Sequence, residues 1–327
     1  MRRTPPSGSH PATRPRIGAG TSSLTGALVL LALLTFYPAA FPSFITLGVT
    51  IVLFAAMATA WDVLGGWTGQ LSLGHAVFVG IGAYTMALLV LRNGVAPWWG
   101  AMVGMGASVV VAAMWGGVTF RLRGPYFALA SIAVAEMTRI VANNWARLTG
   151  GAEGISLPTL PLFLGLDLFS RRVEFYMALI LLGLALAVAW WLQRSRFGYH
   201  LQAIREDEDA AMALGINPTR EKVWAFLASA ALTSLGGSLY GIFLGFFEPR
   251  GMFSLDLSVQ LALMAYIGGA GTLFGPLIGA GLLVGGSEVL RIYFPGKSLF
   301  VYGVLIILVV LFAPDGLSTA VRRARRA

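Results

Sequence analysis

Residues 44–61 read Phe44-Ile45-Thr46-Leu47-Gly48-Val49-Thr50-Ile51-Val52-Leu53-Phe54-Ala55-Ala56-Met57-Ala58-Thr59-Ala60-Trp61. No charge interrupts them, and as an α-helix they extend about 27 Å at 1.5 Å per residue. That nearly matches a hydrocarbon core of about 30 Å. The rest of the chain repeats the pattern. Of its 327 residues 57% are hydrophobic and only 11% charged, against about 25% charged in an ordinary soluble domain. Mean hydropathy is +0.77. Too little charge is present to cover a soluble surface, which excludes a soluble enzyme, a disordered chain and a coiled coil. The expected class is an all-α polytopic membrane protein.

Working outward from 44–61, apolar runs recur at 24–41, 75–91, 97–120, 125–145, 175–192 and 223–247, and at 298–314. Residues 257–287 carry no charge at all. As one helix they would run about 46 Å, too long for the core. Gly268, Gly269 and Gly271 offer a break, giving spans near 257–269 and 274–293. Ten spans result, over a permease domain of 24–314. Residues 1–23, rich in Pro and Arg, read as a disordered tail, and 315–327 as a second basic tail. The basic start followed by 24–41 also suits a signal peptide, but more membrane follows it instead of a soluble domain.

An even number of spans puts both termini on one side. The basic tails and the loops with Arg121, Arg123 and 193–222 then fall together, holding fifteen of the 23 basic residues. By the positive-inside rule that side is cytoplasmic; Arg171 and Arg172 count against it. The net charge of +9 thus orients the chain, and no basic stripe with interleaved aromatics suggests nucleic acid. Trp61, Trp98, Trp99, Trp145, Trp190, Trp191 and Trp224 lie near span ends, where amphipathic rings favour the interface. There is no cysteine, and His10, His75 and His200 are far apart, so no metal cluster is expected.

Two glycine-rich stretches stand out. Gly65-Gly66-Trp67-Thr68-Gly69-Gln70-Leu71-Ser72-Leu73-Gly74, followed by His75, is too rich in glycine for a good helix. Gly268-Gly269-Ala270-Gly271-Thr272-Leu273-Phe274-Gly275 echoes it. Both follow an inward-running helix, as in two parallel repeats. They read either as cytoplasmic turns with close packing or as parts of a substrate path, where freed backbone groups face a polar cavity. Glu136, Arg139 and Asn143 share one helix face of the fifth span. They either line that path or form a self-neutralising pair. Glu288 and Arg291 repeat the spacing. Gly100/Gly104, Gly237/Gly241/Gly245 and Gly281/Gly285 suit close helix contact.

Charge is densest in 193–222. There Glu206-Asp207-Glu208-Asp209-Ala210-Ala211-Met212-Ala213-Leu214-Gly215 favours a short helix capped by Gly215, and Asn217-Pro218 turns the chain. Alone it is a connecting helix or a docking element for a soluble partner. Asp209-Ala210-Ala211-x-x-x-Gly215 resembles the "EAA" loop of ABC-importer permeases, with Asp209 in place of Glu. Leu64 to Ala76 resembles the most typical stretch of LivM-type branched-chain amino-acid permeases. Arg121-Leu122-Arg123-Gly124-Pro125-Tyr126-Phe127, Leu148-Thr149-Gly150-Gly151-Ala152-Glu153-Gly154 and Gly275-Pro276 extend the likeness over about 44–316.

The resemblance implies a transport subunit and no enzyme of its own, seated in the bacterial inner membrane without a cofactor. It implies a second, LivH-type permease, two ATPase subunits docking on Glu208, Asp209, Ala210, Ala211 and Gly215, and an extracytoplasmic binding protein. The cargo implied is a branched-chain amino acid, with urea or a short amide second. Gly296-Lys297-Ser298 mimics the end of a Walker A loop, but Arg291 replaces its first glycine. A secondary transporter would use Glu136 or Glu288 as an ion site. An intramembrane zinc protease would need His-Glu-x-x-His, which is absent, and an aspartyl enzyme would need a mate for Asp62.

Overall fold

A computed structural model of the chain describes residues 20–120, 122, 124–157, 167–293 and 303. The helices are, in order, α1 (Gly20–Thr35), α2 (Tyr37–Ala40), α3 (Ile45–Thr68), α4 (Ala76–Asn93), α5 (Pro97–Thr119), α6 (Pro125–Asn144), α7 (Ala146–Thr149), α8 (Arg171–Leu192), α9 (Arg196–Glu206), α10 (Glu208–Ala213), α11 (Pro218–Leu244), α12 (Pro249–Met252), α13 (Leu255–Gly268), α14 (Gly275–Ala280) and α15 (Gly286–Tyr293). A π-turn, Gly281–Gly285, joins the last two. Strands β1 (Ile155–Ser156) and β2 (Phe246–Phe247) pair antiparallel.

Eight stretches are long and apolar enough to cross a membrane: Pro42–Thr68, Ala76–Asn93, Pro97–Thr119, Pro125–Asn144, Arg171–Leu192, Pro218–Leu244, Pro249–Gly268 and Gly275–Tyr293. The chain is therefore a polytopic, all-α membrane protein. The expected count of ten is not reproduced among the described residues. The first run forms a shorter apolar helix, Leu24–Ala40, bent at Phe36 with Pro38 in its second part. The run 298–314 lies outside the described residues apart from Gly303, as do the tails and the Walker-like Gly296-Lys297-Ser298.

Three local expectations are corrected. Gly65 and Gly66 are helical, because α3 continues to Thr68 and ends only at Gly69, left-handed at φ 71°. Neither has room for a side chain: a Cβ on Gly65 would strike the Trp61 ring and one on Gly66 the Asp62 carboxylate and the Gly271 nitrogen, so close packing holds both in the helix. Trp61 consequently lies two turns inside α3, fully buried instead of interfacial. The acidic run does not make one helix over 206–215. Asp207 is extended, and its carboxylate accepts from the N–H groups of Asp209 and Ala210. This N-cap ends α9 and starts α10. Asn217 likewise caps α11, with Pro218 in its first turn.

α3 is the hub. It packs on α8, α11, α13 and α14, and its residues Val52 to Thr68 are all buried. α4 and α5 pack with α11. Glycine lets those helices meet backbone to backbone. A Cβ on Gly237 would lie 2.2 Å from the Val79 carbonyl oxygen, and one on Gly82 2.0 Å from that of Ser234. Gly100 and Gly104 sit similarly against Met86 and Gly82. Gly245 instead ends α11 at φ 69°. Among the described residues a Cβ on Gly281 would meet nothing within 4 Å and one on Gly285 only Ile51.

The loops contact one another at two ends of the bundle. The 193–222 loop touches both glycine breaks through Arg205. At the other end, β1 of the 146–173 stretch pairs with β2, and Arg92 donates to the Arg147 carbonyl.

Gly82→Ala or Gly237→Ala should each cost about 1–3 kcal/mol through overpacking, read as a lower thermal midpoint of the purified protein. Gly106→Ala, whose added carbon meets nothing within 4 Å among the described residues, should not lower that midpoint, since alanine is the better helix former.

Candidate functional site

The two glycine breaks meet beside α9. The Asp62 carboxylate, buried in α3, accepts from the Gly271 N–H with both oxygens, at 2.9 and 3.1 Å. Arg205, near the C-terminus of α9, donates from Nη1 to the carbonyl of Gly66 at 2.6 Å and to that of Ala270 at 3.4 Å. Its stem runs beneath Gly69, where a Cβ would stand 3.1 Å from Cγ. Gly66 has no room for a side chain, since a Cβ there would lie 1.9 Å from Asp62 Oδ1 and 2.4 Å from the Gly271 nitrogen. Gly271 has φ 76° and a Cβ on it would meet Arg205 Nη1 at 2.7 Å. One guanidinium thus ties the end of α3 to the break between α13 and α14.

Gly268 closes the same hairpin: a Cβ on it would reach the Gly275 carbonyl at 1.7 Å. Gly269 ends α13 at φ 120°. Thr272 Oγ1 donates to the Gly269 carbonyl and accepts from the Gly275 N–H.

The first break is held by hydroxyls from three other helices. Ser131 of α6 accepts from the Leu73 N–H, and Ser258 of α13 from the Ala76 N–H. The Trp61 indole donates to the Ser72 carbonyl at 2.8 Å. His75 is fully buried, with Nδ1 2.8 Å from Ser72 Oγ and Nε2 2.8 Å from Ser229 Oγ of α11. The rings of Trp61, Phe78 and Phe226 surround it. Enclosed by these rings, with hydroxyls as its hydrogen-bond partners, the imidazole is neutral and carries one proton. Ser229 donates its only proton to the Ala60 carbonyl. It must therefore accept from His75 Nε2–H, which leaves Nδ1 to accept from Ser72. The protons run in one direction, from Ser72 through His75 and Ser229 to Ala60. Gln70 is buried nearby, and its Nε2 has no partner among the described residues.

Of the sequence candidates, the structure gathers Gly66, Gly69 and Gly271 around Arg205, and Ser72 and His75 around Ser229. Gly65 packs on the Trp61 ring. Glu136, Arg139 and Asn143 stand apart from this cluster. The buried stripe of α6 comprises Phe127, Ala128, Ser131, Ala135 and Ala142. At roughly 100° per residue Arg139 borders this stripe, with Asn143 and Glu136 successively further round the helix. Arg139 binds Glu136 through Nε at 2.9 Å and again through Nη2, with the two side chains 29% and 46% exposed. Glu288 and Arg291 also pair, at 2.6 Å.

In the 193–222 loop, Glu208 turns inward. Its Oε2 lies 2.6 Å from Nζ of Lys222, which is only 2% exposed. Ala211 is also buried, whereas Asp209, Ala210, Met212, Leu214 and Gly215 face outward. α10 is therefore fastened to the first turns of α11.

Arg205, Asp62, Ser131, Ser229 and Ser258 were not candidates by motif. For Asp62 and the serines the signal was composition, since a lone charge or hydroxyl inside an apolar span needs a partner in protein; Arg205, in the charged loop, carried no such signal.

The chain is thus a multi-helix membrane bundle with broken helices, pinned to a loop helix. The comparisons agree. Residues 43–310 match the family described as "Branched-chain amino acid transport system / permease component", and the chain belongs to that family. It is 32% identical over 290 residues to the high-affinity branched-chain amino acid transport system permease protein LivM of Salmonella typhimurium, covering 81% of this chain and 68% of that one. It is 29% identical over 293 residues to the corresponding LivH protein of Escherichia coli K12, covering 84% and 92%. A shorter similarity, 30% over 154 residues, links it to the autoinducer 2 import system permease protein LsrC of Klebsiella pneumoniae. No solved structure gives a significant match.

Ser229→Ala should strand the buried His75 Nε2–H, costing about 1–3 kcal/mol. The check is thermal unfolding of the purified chain, with Ser258→Ala in parallel; Ser229→Thr, which keeps the hydroxyl, should lose less.

Proposed function

We propose that the chain is one permease subunit of an ATP-driven importer for branched-chain amino acids. The observation that carries this reading is α10. It is tied to α11 by the buried Lys222–Glu208 pair, and it presents Met212 and Leu214, 40% and 82% exposed, next to Asp209. An exposed apolar tip on a rigidly held helix suits a groove on a soluble partner. Two ATPase subunits are the partners proposed, one of them on this loop. Asp209, Ala210 and Gly215 serve contact, while Glu208 and Ala211 anchor the helix.

Coupling then follows the covalent path. Movement of α10 acts on α11 through Lys222 and on α9 directly. Arg205 carries it to both glycine breaks, and the bundle alternates between inward-open and outward-open states. The path itself runs along the α6 flank. A charge at mid-bilayer costs about 2.5–3.5 kcal/mol on the insertion scale, so Glu136 and Arg139 do not face lipid. A second, LivH-type permease covers this flank, and Asn143 lies on it. The glycine breaks are read as equivalent points of two parallel repeats that bend as the path opens. An extracytoplasmic binding protein delivers the cargo, the chain resides in the bacterial inner membrane, and both termini are cytoplasmic.

Leucine, isoleucine and valine are the proposed cargo, supported by the relatives' names. Uptake of radiolabelled leucine and urea by a deletion strain complemented with this chain tests it; uptake of urea alone would replace the cargo. Leu214→Asp should abolish leucine uptake and co-purification of the ATPases while membrane levels of the chain persist. Gradient-driven uptake by liposomes holding this chain alone would overturn the ATP-driven reading.

A further inference from the structure

Beside the Arg205 tie lies a cavity of about 370 Å³, lined by Gly66, Trp67, Gly271 and α9. It falls within the roughly 300–1,000 Å³ typical of small-molecule sites. The α9 lining residues are Tyr199, Gln202, Ala203, Arg205 and Glu206. Four of them follow the spacing i, i+3, i+4, i+7, so one helical stripe faces the two breaks. The chemistry of the wall is mixed. Arg205 is a cation whose Nη1 bonds to carbonyls; it makes no ion pair among the described residues, and the buried Asp62 carboxylate across Gly271 is the acid that feels its charge. Glu206 is an acid without an ion-pair partner among the described residues. Between them stand the amide of Gln202 and the apolar surfaces of Trp67, Tyr199 and Ala203. The buried Trp67 Nε1 also lacks a hydrogen-bond partner among the described residues.

A simple anion would meet Glu206 as repulsion, and a simple cation would meet Arg205. A small molecule bearing both charges, with a short apolar group, satisfies both and the wall. We infer that this cavity is a regulatory site for a free α-amino acid with an apolar side chain, its carboxylate on Arg205 and its ammonium on Glu206. The site rests on the proposed cytoplasmic placement of the 193–222 loop, and it is separate from the α6 flank. An occupant engages the one side chain that joins α9 to both breaks. Imported amino acid accumulating in the cytoplasm therefore loosens or locks that joint and slows transport.

The chain has no cysteine of its own, which makes a single reporter clean. Gln202→Cys in the assembled transporter is labelled with a membrane-impermeant maleimide, in inside-out and right-side-out vesicles, with L-leucine, leucinamide or isocaproate added. Labelling confined to inside-out vesicles, and slowed by L-leucine but by neither analogue, is expected. Adding Glu206→Gln should raise the protecting concentration about tenfold, as for a lost charge-assisted hydrogen bond. In the otherwise native chain, Glu206→Gln should keep initial leucine uptake and abolish its slowing in leucine-loaded vesicles. Labelling only in right-side-out vesicles would overturn the cytoplasmic placement. Labelling from inside without protection, or equal protection by isocaproate, would overturn the amino-acid site while leaving the placement intact.

Discussion

A backbone group freed by a broken helix in an apolar bundle must find its partner in protein, because no water is there to supply one. The structure is arranged around that constraint. Gly271 N–H goes to Asp62, the Gly66 and Ala270 carbonyls to Arg205, the Ser72 carbonyl to Trp61, and the Leu73 and Ala76 N–H groups to Ser131 and Ser258. Each bond crosses from one helix or loop to another. The breaks are consequently the points where the helices are most firmly held together.

The same economy of polar groups connects the membrane bundle to its loop. Arg205 and Lys222 both tie the loop region to the helices, one through carbonyls and one through Glu208. A loop helix held only by solvent-exposed charges would slide without consequence, since such pairs contribute about 0–1 kcal/mol. Here Lys222 is buried and Arg205 grips backbone, so α10 is tied to α11, and α9 to α3 and the α13–α14 break.

Where sequence reading went astray, the cause was local propensity overridden by surroundings. Gly65 and Gly66 predict a broken helix, yet close packing on Trp61 and Asp62 keeps them helical. Four successive acids predict one helix, yet the Asp207 side chain ends one and caps another. The i, i+3 spacing of Glu136 and Arg139 was correctly legible as one face. Which way that face points depends on the neighbours of Ser131 and Ala135.

By itself the sequence determined that this is a many-span helical membrane protein with two glycine interruptions and one charged loop. Those features are one-dimensional: apolar run length, glycine content and charge density need no partner to be read. Only the tertiary structure decided that the two interruptions and the loop are one site. Asp62 and Gly271 are separated by 209 positions, and Arg205 lies 139 beyond Gly66. No periodicity reaches so far. The packing of α3 against α13 and α14, and of α9 beneath them, brings them within hydrogen-bond distance.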